Sequence, residues 1–193
     1  MRKRHKSPNF WPLLATATVL IIATFMLRNQ GRFWICSCNE VWLWSGDIWS
    51  AHNSQHILDP YSFTHVLHGL AFWAILHWLA PQWPLMWRFW VAIAVESLWE
   101  VVENAAFIID RYREATIALG YEGDSIVNSL ADIALCGLGF YIAQRIGWRW
   151  ALLLFITTEI ALTLWIRDSL LLNVLMLLAP VDSIRDWQAG LQG

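Results

Sequence analysis

Charge is what this chain has least of. Of its 193 residues only 15% are Asp, Glu, Lys or Arg, against 58% hydrophobic. A soluble domain carries about 25% charged residues. That scarcity, with a mean hydropathy of +0.44, excludes a soluble globular domain. A net charge of only −2 on so hydrophobic a chain excludes disorder, and without a cationic surplus nucleic acid is excluded as a partner. Cysteine is also scarce, at three residues. Cys36 and Cys38 stand one residue apart, a spacing that strains a bridge, so they are expected as free or externally partnered thiols. Cys136 lies inside an apolar run and is expected as a packing residue. No nucleophile elbow, phosphate loop, cofactor fingerprint or internal repeat is present.

What the chain does have is long apolar runs. A helix needs about 20 apolar residues to cross a hydrocarbon core. Spans are expected over Phe10–Leu27, Phe63–Ala80, Leu85–Ile109, Ser125–Ile146 and Trp150–Ile166. Residues 169–180 form a short sixth candidate, either a tilted span or a re-entrant piece, since ten helical residues rise only about 15 Å. The first run follows Arg2, Lys3, Arg4 and Lys6 and lacks an A-x-A-like cleavage site, so it reads as an uncleaved signal anchor with a cytoplasmic N-terminus. With that orientation eight Lys and Arg lie inside (Arg2, Lys3, Arg4, Lys6, Arg88, Arg145, Arg149, Arg185) and five outside (Arg28, Arg32, Arg111, Arg113, Arg167), the expected bias. Many of the fifteen Trp residues stand near span ends, as in aromatic belts. The chain therefore reads as an all-α integral membrane protein. It is one membrane domain over 1–193, a bundle of five to six transmembrane helices, with an outer loop over 28–62.

Ionisable residues inside spans cost about 2.5–3.5 kcal/mol each at mid-helix, yet this chain accepts many. Glu96, Glu100, Glu103 and Asp110 recur at i, i+4, i+7 and i+14 on one helical stripe. Asp124, Asn128 and Asp132 recur at i, i+4 and i+8, and His65 and His68 lie one turn apart. By the topology above, His65, His68, Glu100, Glu103, Asp124, Asn128, Arg111, Arg113, Arg167 and Asp168 gather at one depth, near the outer (periplasmic) face. Buried carboxylates must hold protons, bind a cation or line water. His65, Glu100, Glu103 and Asp124 are therefore candidate acid/base groups. His65, His68, Glu103 and Asp124 are candidate ligands of a divalent metal ion. Arg111, Arg113, Arg167 and Asn128 are candidate substrate-binding residues, the arginines as anchors for an anionic head group and Asn128 as the residue orienting the surroundings of Asp124.

Plainer readings stand beside these. Glu96 and Glu159 read as protonated helix-to-helix partners. Asp110, Arg111 and Arg113 read equally as a surface charge cluster. Ser129, Ala131, Ala134, Gly137 and Gly139 read as a small-residue packing face. His52 and His56, at i and i+4, read as loop histidines.

The stretches Asp47–His56, Tyr61–Gly69, Glu96–Asn104, Ile109–Arg113, Gly123–Asp132 and Ile166–Asn173 resemble a bacterial multi-pass membrane protein family. That family is catalogued as domain of unknown function 2585, or uncharacterised protein family 0314. The resemblance covers most of the chain beyond the first span. It implies location in the bacterial inner membrane and multi-pass topology, but no activity. A fainter likeness is to VanZ-like membrane proteins, linked to glycopeptide resistance. Asp124 and Asn128 match their pattern, Ala131 stands where Gly is usual, and Asp132 is additional.

Three function classes remain open. One is an enzyme acting on, or a protein binding, a membrane lipid or cell-envelope substrate from the outer face. Another is a non-catalytic envelope assembly or resistance factor. The third is a proton-coupled transporter using Glu96 and Glu159, disfavoured by few spans and no repeated halves.

Overall fold

A computed structural model describes residues 9–116 and 120–190. The basic cluster Arg2, Lys3, Arg4 and Lys6 lies outside the described residues. The described chain contains eight helices: α1 (Phe10–Asn29), α2 (Ser62–Leu79), α3 (Leu85–Glu103), α4 (Ala106–Ala115), α5 (Ile126–Ile146), α6 (Trp148–Ile166), α7 (Leu170–Leu178) and α8 (Asp182–Ala189). Among the described residues there is no strand, only an isolated bridge between Trp44 and Leu58. By length and composition α1, α5 and α6 are apolar enough to cross a membrane. Helices α2 and α3 have similar length, 18 and 19 residues, but bury polar groups: His65 is 7% exposed, Glu96 and Glu100 are 0%. Large apolar side chains instead face outward, Leu164 at 79% and Trp78 at 81%. Polar residues inside and apolar ones outside suit a lipid surrounding.

The packing centre is α2 against α5. A side chain at Gly69 would meet the Cys136 carbonyl, and one at Gly139 would meet the Val66 carbonyl. Bare backbones touch here, as small residues allow. Leu67, Leu70, Trp73, Phe140 and Ala143 complete the contact, with Ala92 of α3 and Ala151 of α6. Helix α1 joins through Ala23 and Leu27, packed against Val101 and Ile126. Of the small residues expected as a packing face, Gly139 meets α2 backbone here, with Gly69 as its counterpart, while Gly137 faces Ile93 and Phe89 of α3.

Two expected spans differ in form. The third is not one helix to Ile109; α3 stops at Glu103, Ala105 turns extended, and α4 starts afresh. The side chain of Asn104 is claimed by Asp124 across the bundle, which breaks the run. Asp110 therefore leaves the acidic stripe, standing exposed on α4 beside Arg113 at 3.7 Å. The sixth candidate is a helix of nine residues, rising about 14 Å, too short to cross. Glu159 of α6 accepts the N–H groups of Leu170 and Leu171 at 3.0 and 3.2 Å. Glu159 thus holds the first turn of α7, beside its N-cap Ser169, rather than bonding another span. The far end of α7 returns to α4, where Leu177 O accepts from Arg111.

The loop between α1 and α2 folds over the start of α5. Phe33 O and Trp34 O accept the N–H groups of Ile126 and Val127 at 2.8 and 3.1 Å, and Ser125 Oγ accepts that of Asn128. The first turn of α5, whose donors have no partner within the helix, is closed by distant chain. In the same loop Cys36 and Cys38 are joined as a disulfide. This corrects the expectation of separate thiols: the Cys36–Asn39 turn, closed by Asn39 N–H to Cys36 O at 2.9 Å, brings both sulfurs to one side.

Candidate functional site

The start of α2, the end of α3, the start of α5 and the α6–α7 loop enclose a chamber of about 80 Å³, room for more than one water-sized group. Asp59, Glu103, Asp124, Asp132 and Asp168 line it together with His65, His68 and Asn128. Among the described residues lining it there is no Lys or Arg. Glu96 and Glu100 lie fully buried behind His65.

The histidines are oriented by one carboxylate. Glu96 Oε1 lies 2.6 Å from His65 Nδ1, and Glu96 Oε2 lies 2.9 Å from His68 Nδ1. An ionised carboxylate only accepts, so this assignment puts the proton of each ring on Nδ1 and leaves each Nε2 with a lone pair. His65 Nε2 stands 3.8 Å from Asp132 Oδ2, too far for a hydrogen bond but within the separation of two ligands sharing one ion at about 2.1 Å. His65 Nδ1 also lies 3.3 Å from Glu100 Oε1, yet its one proton is directed at the nearer Glu96. Neither oxygen of Glu100 therefore has a hydrogen-bond partner among the described residues. His65, Glu100 and Glu103 offer ligand atoms within 4.8 Å of one another, as do His65, His68 and Glu96.

The other acids are held by neutral donors. Tyr121 Oη donates to Asp124 at 2.9 Å, Tyr61 Oη to Asp168 at 3.2 Å, and Tyr112 Oη stands 3.0 Å from Glu103. Tyr112 Oη is also 3.0 Å from Asn173 Oδ1. One hydroxyl proton serves one acceptor at a time, so a protonated Glu103 donating to Tyr112 satisfies the whole set. Asp59 closes the start of α2: Oδ1 accepts from Tyr61 and Ser62 N–H, and Oδ2 from Ser54 N–H. Burial raises the Asp59 carboxyl above its ordinary range, against those three N–H bonds. Burial likewise raises Asp124, opposed by its bonds from Asn104 and Tyr121. It pushes Asp168 up to about 6, against bonds from Ser169 N–H, Tyr61 and Asn173.

His65, His68, Glu103, Asp124 and Asn128 thus share one chamber, with Glu100 directly behind. Asp124 stands on the wall, outside both groups of clustered ligand atoms. The residue that orients it is Asn104, whose Nδ2 donates to Asp124 Oδ2 at 2.8 Å while its Oδ1 accepts the Asp124 N–H at 2.6 Å. Asn128, expected to orient the surroundings of Asp124, has an Nδ2 without an acceptor among the described residues. The arginines expected as anion anchors lie elsewhere. Arg111 Nε donates to Leu177 O, Arg113 Nε to Tyr121 O and Arg167 Nη1 to Trp187 O. The break after α3 swings Arg111 and Arg113 outward with α4. Arg167, left-handed at φ 54°, turns toward α8, its guanidinium 5.6 Å over the Trp187 ring.

Sequence reasoning missed Asp59, Trp99, Tyr61, Tyr112, Tyr121 and Asn173 on this wall. Two signals were available. Asp59 precedes Ser62 by three residues, and the two cap each other, Ser62 Oγ accepting the Asp59 N–H at 3.1 Å. The chain has four Tyr against fifteen Trp, and three of those four reach the chamber, because a buried phenol needs an acceptor.

Comparison with known proteins gives a family and no activity. A profile described as protein of unknown function (DUF2585) matches residues 27–190. The chain is similar to the UPF0314 protein of Sphingopyxis alaskensis, 47% identical over 179 residues, covering 92% of this chain and 94% of the relative. It is 48% identical to the UPF0314 protein of Paracoccus denitrificans over 188 residues, covering 97% and 95%. A third relative, from Sinorhizobium fredii, is 42% identical over 188 residues, covering 97% and 95%. The likeness to VanZ-like proteins is not shown by these matches. No solved structure matches.

Proposed function

The chain belongs to the family of unknown function DUF2585, and from that premise we propose that its chamber is a divalent-metal site in a bacterial inner-membrane protein. The metal is held by His65 with Glu100 and Glu103. Helices α1, α2, α3, α5 and α6 cross the membrane, the N-terminus is cytoplasmic, and the chamber opens at the periplasmic face to a lipid or cell-envelope substrate.

The observation that carries this reading is the Glu96 bracket. Metal-ligating histidines characteristically donate their second ring N–H to a carboxylate, and Glu96 receives both His65 and His68 in that way. The Glu100 carboxyl beside them, without a hydrogen-bond partner among the described residues, is a buried acid whose ionised form a cation would compensate. A lining without Lys or Arg also means that an anionic head group needs a cation to enter among the acids. A bound metal would polarise a water or a substrate oxygen. The chain's own part is to orient that oxygen, with Asn128 Nδ2 as a free donor and Tyr112, 3.0 Å from Glu103, as a proton-carrying hydroxyl. The relay expected of a transporter loses Glu159, which is committed to capping α7.

The test is metal content and affinity of the full chain in detergent, titrated with zinc and manganese. One ion per chain is expected, lost in His65→Ala and in Glu100→Gln. Glu96→Gln, which keeps shape but removes the charge behind both rings, should weaken affinity about 10–100-fold. No binding by the folded wild type would refute the metal. A Glu103→Gln variant that binds metal as the wild type does would remove Glu103 from the ligand set, and one that also rescues a deletion strain would make the chamber an assembly element.

A further inference from the structure

Outside the chamber, the loop between α1 and α2 carries a second cluster of reactive side chains, Cys36, Cys38, His52 and His56, with ligand atoms within 4.8 Å of one another. Its hydrogen bonds disfavour a metal. His56 Nδ1 accepts the Trp42 N–H at 3.2 Å, so the neutral ring carries its proton on Nε2. That proton points at His52 Nδ1, 3.1 Å away. Such a ring has no lone pair left for an ion. Burial, then the neighbouring His52, lowers the pKa of His56, in keeping with a neutral ring.

The sulfurs are arranged for different chemistry. Cys36 and Cys38 are bridged, but unequally placed: Cys36 is 3% exposed, whereas Cys38 is exposed. Cys36 Sγ already accepts the backbone N–H of Cys38 at 3.1 Å and lies 3.8 Å from His52 Nδ1. One sulfur is open to attack, and the other is set to leave.

We infer that the Cys36–Cys38 pair is a thiol–disulfide exchange site whose substrates are thiols, either a small thiol or a cysteine of another protein. An incoming thiolate attacks Cys38 Sγ. The Cys36–Cys38 bond breaks, and its electron pair leaves on Cys36 as a thiolate, which the Cys38 N–H receives. The product is a mixed disulfide on Cys38. A second thiol then attacks the incoming group's sulfur, releasing an external disulfide and the Cys38 thiolate. In sum two external thiols lose two electrons and two protons, and the pair becomes a dithiol. His52 Nδ1 carries no proton while His56 Nε2–H donates to it, so it serves as the base that takes the Cys36 proton when Cys36 attacks in reverse.

The experiment equilibrates the full chain in detergent with glutathione buffers of graded ratio. Thiols are trapped by alkylation, and each cysteine is read by peptide mass. The pair should pass from bridged to dithiol as reduced glutathione rises. A glutathione adduct should accumulate on Cys38 in Cys36→Ser and be at least tenfold scarcer on Cys36 in Cys38→Ser. His52→Gln should slow the approach to equilibrium about tenfold or more while leaving its end point unchanged. A merely structural histidine would shift the end point or the melting temperature instead. A pair that stays bridged in excess reductant while the protein is folded would overturn the inference, as would equal adducts on both sulfurs. Stoichiometric zinc uptake by the reduced pair that is lost in His52→Gln would overturn it too, making the cluster a metal centre.

Discussion

Asp168 shows how much a single side chain carries in this molecule. It sits in the turn between α6 and α7, 3% exposed, bonded by Tyr61, and burial raises its carboxyl to about 6. A raised carboxyl means that the folded state binds its proton more tightly than the unfolded chain does. Its ionisation therefore costs stability above about pH 6, and that cost is relieved as pH falls through 6 toward the ordinary carboxylate range. Asp168→Asn should abolish this window. The melting temperature of the wild type in detergent should rise relative to the variant between about pH 7 and pH 4.5; a constant difference would refute the shift. At this scale the sequence exposed the histidines and Glu103 because ionisable groups in an apolar run are conspicuous. It hid the partners. Nothing in the spacing of Asn104 and Asn128 tells which one bonds Asp124, since that depends on where α3 breaks. The arginines misled for the same reason: proximity in depth says nothing of direction around a helix that has changed axis.

Between elements, close approach is the controlling feature. Gly139 and Gly137 stand on the same helix, two residues apart, yet face different neighbours. A methyl at Gly139 would strike the Val66 carbonyl, which is fixed in α2. A methyl at Gly137 would meet only side-chain atoms of Ile93 and Phe89, at 3.3 and 3.4 Å, which can yield. Gly139→Ala should therefore cost about 1–3 kcal/mol and lower the melting temperature clearly. Gly137→Ala should change it little; equal effects would show that the α2–α5 contact is not the tight one. Apolar periodicity located α1, α2, α5 and α6 within a residue or two because long apolar runs need little else to form helices. It failed at 85–109 and 169–180. There a tertiary hydrogen bond from Asn104 and a carboxylate cap from Glu159 decide where helices begin and end, and neither leaves a mark in a hydropathy pattern.

For the molecule as a whole, the end of α3, the beginnings of α2 and α5 and the α6–α7 turn line the chamber, while the α2–α3 and α5–α6 turns stand at the other ends of those helices. If those helices span as proposed, single cysteines at Ser37 and Gly147, in a chain with Cys36, Cys38 and Cys136 replaced, report opposite sides. Impermeant thiol reagent added to intact cells whose outer membrane has been made permeable should label position 37 and spare position 147. The reverse would invert the site toward the cytoplasm.

The bonds from Ile126 and Val127 to Phe33 and Trp34 also impose an order of events during synthesis. The acceptors are made some ninety residues before the donors, and contacts that distant in sequence form late. Until α5 emerges, Phe33 O and Trp34 O lack these donors. A ribosome product cut short before Ile126 then presents a bare loop and half a chamber, and is a natural target for membrane proteases. Delivery of α5 and the three helices after it is thus the step that converts a degradable intermediate into a durable protein.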